Sequence, residues 1–284
     1  MGRAIWGCLI STILLLGGIA AGRIAAGRTP PQLPAGELVR RVIAHELQAE
    51  KQDNSYWMFR LQQSQSGETK TEAIVETPHG WARRLLAING HPLTSQQRNQ
   101  DEQRLHKLLT DPAEQRKNQE DTRNDVQQAQ QLLQMLPDAF LYTYAGGKDG
   151  IAKLNFRPNP KFHPQSRKAT VFHDMVGSLW LDVRQQRLAR IQGHLNQEVK
   201  FAGGLLGHLN KGGTFDVKQT KIAPGVWDVT YMNIQMNGKA LFFKTIAVHE
   251  KDIRSDYRRV SSQLTLAQAA DLLNRQTSTV AARR

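Results

Sequence analysis

Apolar residues recur at helical spacing near the start of the chain: Leu38, Val42 and Leu47, with Val39 and Ile43 beside them, form one stripe that predicts a helix over Glu37–Gln52. Alternation then replaces that period. Trp57, Phe59 and Leu61 alternate with Met58 and Arg60, and two more runs follow at Thr69–Glu76 and Trp81–Ile88. Ser66-Gly67, Pro78-His79-Gly80 and Asn89-Gly90 punctuate them, which reads as an antiparallel meander.

The middle of the chain changes character. Thr94 and Gln97 have the spacing of a capping box and open a helix towards Leu109. Asp111-Pro112-Ala113-Glu114 offers an N-cap, a first-turn proline and a first-turn acid for a second helix, expected to reach Met135 and to end at Pro137. Glu114 to Asp125 is almost wholly polar and is expected to stand in solvent. Val126, Ala129, Leu132, Leu133 and Leu136 then restore an apolar stripe.

Strand logic returns at Phe140–Tyr144, Ala152–Arg157, Ser178–Val183, Arg187–Leu195, Phe215–Thr220, Val226–Gln235 and Leu241–His249, with a shorter run at Asp256–Val260. Asn237-Gly238 reads as a hairpin turn, and Thr265–Asn274 as a closing helix. There is no βαβ alternation, so a parallel nucleotide-binding fold is not expected. The pattern predicts an α+β protein. Some ten antiparallel strands make a sheet that must curl to cover its apolar face, with an N-terminal helix, a helical insertion and a short C-terminal helix.

Met1–Gly22 has the layout of a secretory signal peptide: Arg3, an apolar run from Ala4 to Ile19, and small residues Ala20-Ala21-Gly22. Ala25-Ala26-Gly27 offers a second cleavage point. The run is short and glycine-broken for a membrane anchor, although retention as an anchor is the alternative; Cys8 is misplaced for lipidation. The expected organisation is a signal at 1–22, a Pro-rich spacer at 23–36, one domain at 37–275 with its insertion at 94–136, and a flexible tail at 276–284. The expected location is the periplasm or another exported compartment. Cys8 is the only cysteine, so a cleaved chain has no disulfide, thiolate metal site or cysteine nucleophile. The net charge of +13 is scattered in pairs such as Arg40-Arg41 and Arg258-Arg259. That suits a solvated basic surface or attraction to anionic membranes, and no nucleic-acid motif accompanies it.

The element order, together with the hairpin Ser178-Leu179-Trp180-Leu181-Asp182-Val183 and Arg187-Leu188-Ala189-Arg190-Ile191, resembles the LolA/LolB-like fold of periplasmic lipoprotein carriers and their RseB-type relatives. The resemblance implies an exported protein with a strongly curved sheet, an open half-barrel that carries acyl groups and is plugged by the leading helix and the helical insertion. The insertion is longer and more polar than a lid over a lipid cavity should be, and Phe201–Gly207 has no counterpart in that fold.

Motifs for chemistry are negative. His45-Glu46 lacks the second histidine of a zinc motif, the glycines after Gly203 fit neither phosphate nor dinucleotide loops, and no G-x-S-x-G elbow occurs. Asp252 and Asp256, among Arg254, Arg258 and Arg259, read as surface ion pairs. No cofactor, metal or catalysis is expected. The expected function is non-enzymatic binding of a lipid or lipoprotein acyl group in the concave face, lined by Trp57, Phe59, Trp180, Leu205, Leu206 and Phe243. Gly203, Gly204 and Gly207 would be hinges at its mouth. The alternative is an interaction or sensor module that docks a partner through the polar helical insertion.

Overall fold

The computed structural model describes residues 33–164, 166, 168–201, 207–240 and 245–281. The signal-like segment, Gly203, Gly204, Leu205, Leu206 and Phe243 lie outside them. The helix α1 (Ala35–Gln52) is followed by strands β1 (Tyr56–Gln65), β2 (Glu68–Thr77), β3 (Gly80–Ile88) and β4 (His91–Pro92). Then come α2 (Ser95–Thr110), α3 (Pro112–Ala139), β5 (Phe140–Lys148), β6 (Ile151–Pro158) and a 3-10 turn (Lys168–His173). The rest is β7 (Met175–Asp182), β8 (Arg187–Leu195), β9 (Val199–Phe201), β10 (Gly207–Leu209), β11 (Thr214–Ala223), β12 (Val226–Ala240), β13 (Thr245–Val260) and α4 (Leu266–Ala281).

The described strands form one curved antiparallel sheet that does not close into a barrel. Its order is β4-β3-β2-β1-β13-β12-β11-β8-β7-β6-β5, with β9 and β10 appended to β12. The first and last strands of the chain thus meet in the middle, β1 against β13. Cross-strand partners share a face, which traces the inner surface from margin to margin. Arg83 pairs with Ile74 and Ile74 with Phe59; Leu61 pairs with Arg254, Asp252 with Met232, and Ile234 with Phe215. Val217 then pairs with Ile191, Ile191 with Leu179, and Leu179 with Leu154. Helices α1 and α3 cover this inner face, burying Val39, Val42 and Ile43 against Leu154, Leu179, Leu181 and Leu195. On the outer face α4 lies over β2 and β3, where Leu266, Ala270 and Leu273 meet Met58, Ala73, Val75 and Ala82. This second layer explains why β1 and β2 bury consecutive residues.

Helix α3 has 28 residues, about 42 Å at 1.5 Å per residue. Nine interstrand steps separate β3 from β5, about 43 Å at 4.8 Å each. The helix touches both strands, so it straps the inner face from one margin to the other. Both insertion helices start as the sequence predicts: Gln97 N–H donates to Thr94 Oγ1 (3.2 Å), Thr94 N–H to Gln97 Oε1 (2.9 Å), and Ala113 N–H to Asp111 Oδ1 (2.8 Å).

Several expectations are corrected. Pro137 does not end α3, which runs to Ala139. Last-turn carbonyls find tertiary donors instead: Tyr142 Oη donates to Leu136 O (2.6 Å) and Asn159 N–H to Ala139 O (2.9 Å). Asn237-Gly238 is not a turn but the interior of β12, because β10 supplies a strand beside it. A Cβ on Gly238 would sit 2.0 Å from His208 O, so only glycine permits that approach. The two late strand runs are one strand, β13, with a bulge opposite Phe59 where Asp256 takes φ 58°. The helix α4 continues to Ala281, past the expected helix end at Asn274.

Candidate ligand-binding site

The polar half of α3 does not stand in solvent on all sides. Asn118 Nδ2 donates to Trp81 O and Gln119 Nε2 to Pro78 O (both 3.3 Å), so its inward face is tied to the sheet margin. The helix switches at Val126, which is 2% exposed, and continues with Leu132, Leu133 and Leu136 facing the sheet. A trough therefore runs beneath α3, polar at the β3 end and apolar towards β5.

The apolar part is a cavity of about 280 Å³ between α1, α3 and the strands β8, β11 and β12. Leu132 and Leu133 form its roof, and Ile191, Phe215, Val217 and Val229 its floor. Phe215 packs over Gly193, where a Cβ would lie 2.7 Å from Cζ of that ring. One ion pair is sunk into the cavity wall. Arg187 Nη2 lies 2.8 Å from Glu46 Oε2, Leu188 N–H donates to Glu46 Oε1 (2.6 Å), and the guanidinium carbon stands 5.8 Å from the Trp227 ring centre. Glu46 and Arg187 are 4% and 7% exposed. Burial raises the Glu46 carboxyl above the ordinary carboxylate value, opposed by the Arg187 charge and the Leu188 N–H. Arg187 Nε is buried with no acceptor, a donor left over beside apolar space.

The nominated residues divide. Trp57 and Phe59 are on the inner face, but they are buried in a filled aromatic cluster and do not line the cavity. Tyr257 stacks on Phe59 (5.4 Å), Trp81 meets it edge-on (6.1 Å), and Trp57 Nε1 donates to Ser55 Oγ (2.8 Å). Trp180 is on the outer face, paired across strands with Lys153 and Arg190, whose cations lie 5.1 and 4.8 Å from its ring centre. It therefore cannot line an inner cavity. Gly207 is a strand residue of β10 at φ 120°.

Sequence reasoning missed Ile191, Phe215, Val217 and Val229 as lining, though it placed each in a strand. It also put Asp252 and Arg254 at the surface, whereas both face inward and each is 8% exposed. Arg254 Nη1 lies 3.5 Å from Asp228 Oδ1, whereas Asp256, Arg258 and Arg259 are exposed as expected, with Asp256 3.4 Å from Arg60.

Among the described residues no group of His, Cys, Asp and Glu side chains is placed to hold a metal, and no helix is long and apolar enough to cross a membrane. No family model and no curated protein matches the chain. A solved structure, that of a DUF1329 family protein from Desulfovibrio piger ATCC 29098, is similar over 84% of this chain and 99% of that one, at 11% identity and a TM-score of 0.29. A likeness at that score assigns no function.

Proposed function

We propose that this chain is an exported, non-enzymatic binding protein that holds an acyl chain between α3 and the inner face of its sheet. The observation that carries the reading is the apolar cavity roofed by Leu132 and Leu133 and floored by Ile191 and Val217, with one unmet donor, Arg187 Nε, in its wall. Apolar surface exposed to water inside a folded protein is unfavourable unless a guest covers it. The Nε–H suits a carbonyl oxygen, because Glu46 already balances the Arg187 charge. The net charge of +13 would draw the protein to anionic membranes, where such guests reside.

Titration with saturated fatty acids of increasing length tests this. Each methylene housed in the cavity should add about 0.8 kcal/mol, about fourfold in affinity, until the cavity is full and the gain stops. Ile191→Trp, which fills the floor, should abolish uptake of a fluorescent fatty acid while leaving the protein folded. Affinity independent of chain length, or undiminished uptake by Ile191→Trp, would defeat the reading.

A further inference from the structure

The trough does not end at the apolar cavity. Val229 is a shared wall, and on its far side lies a polar chamber of about 190 Å³ bounded by β1, β3, β12, β13 and α3. Its charged lining is Arg83 on β3, Asp125 on α3, and Glu250, Asp252 and Arg254 on β13, with Gln63 of β1 beside them. Within a chain of net charge +13, this interior holds a surplus of carboxylates. Arg254 is drawn towards Asp228 on the cavity side (3.5 Å), and Arg83 lies 5.3 Å from the Trp81 ring centre. Gln63 Nε2 donates to Glu250 Oε1 (2.9 Å).

Asp252 is the informative side chain. It is 8% exposed, it lines the chamber, and its Oδ1 is buried with no hydrogen-bond partner. Burial raises the carboxyls of both Asp252 and Glu250, and the Asp252 charge raises Glu250 further; Gln63 opposes both shifts, and the Arg254 and Arg83 charges oppose that of Asp252. A buried acid with an unmet acceptor, beside a second, half-buried acid, asks for a donor that also carries positive charge. The residues do not form a metal constellation. An ammonium group supplies both the protons and the charge.

We propose that the polar chamber binds the ammonium head of an amphiphile whose tail occupies the neighbouring apolar cavity, with Asp252 Oδ1 as the principal acceptor. This rests on the reading of the apolar cavity as a tail site. The head site thus favours an amine-bearing lipid or alkylamine over a fatty acid of the same chain length, which the tail site alone would still take up.

Calorimetric titration with decylamine, decanol and N-decylacetamide tests the head separately from the tail. All three carry the same chain, and the amide keeps an N–H but has no charge. Decylamine should bind at least about tenfold more tightly than the other two, the lower range of a charge-assisted hydrogen bond. The overall charge of the protein would oppose that preference if binding were nonspecific. In Asp252→Asn, decylamine should fall to the level of decanol. Equal binding of the three by the native protein overturns the head site without relying on any variant. So does an amine preference that persists in Asp252→Asn. Binding of none of them overturns the tail site, a separate failure.

Discussion

At the residue scale, two buried charged groups set the chemistry. Glu46 and Arg187 neutralise each other away from water, so removing one strands its partner. Glu46→Gln should cost about 3 kcal/mol in urea unfolding, the range seen when one member of a buried pair is lost. The Asp252 carboxyl is also raised on folding, by burial, against the Gln63 hydrogen bond and the Arg254 charge. The folded state then holds its proton more tightly than the unfolded chain. The stability contributed by the protonated form is complete below the ordinary carboxylate value, about 3.9, and is lost as pH rises through the raised folded value. The melting temperature of Asp252→Asn relative to the native protein should therefore climb as pH is raised from about 4 to about 7; a difference that falls over this range would contradict the burial argument. Neither role was legible in the sequence. A local run of Asp and Arg looks like a wet surface, and only the pairing of Gln63 with Asp252 and Leu61 with Arg254 shows that both point inward. Trp180, in contrast, could have been placed correctly. It sits between Leu179 and Leu181, which are 1% and 0% exposed, and alternation alone puts it on the opposite face. Its size was a poorer guide than its neighbours.

At the element scale, α3 carries the design. Its cap was readable because capping needs only local chemistry, and Asp111→Ala should cost about 1 kcal/mol, measured as a drop in thermal stability. The inward contacts of its polar half were not readable, since they depend on backbone carbonyls of Pro78 and Trp81 some forty residues away. The same contrast separates the turn signals. Ser66-Gly67 and Asn89-Gly90 both take positive φ and turn the chain, as their sequence suggests. Asn237-Gly238 has an equivalent sequence, yet β10 pairs alongside it and the strand continues. Gly238→Ala would force a methyl against the His208 carbonyl and should destabilise the protein by about 2 kcal/mol or more, read from the denaturation midpoint.

At the scale of the whole molecule, the α+β class, the antiparallel sheet and its helical insertion followed from periodicity, because alternation and helical stripes are properties of each segment alone. Strand order did not, since a sheet that places its first strand against its last leaves no local trace. The trough exists because of that order: it brings the acids of β13 beside β1 and the apolar floor of β8 and β11 beside β12. Strap and sheet are also unequally fastened. The β5 end of α3 continues into the strand and buries Leu136 and Ala139 with Phe140 in the main core, whereas the other end is tied by Asn118 and Gln119. Amide hydrogen exchange should accordingly be faster over Glu114–Asp125 than over Ala129–Ala139. Unequal fastening makes one end a door and the other a back wall: the strap should open first over the acids, so that the proposed amphiphile would enter tail foremost and depart by the same threshold.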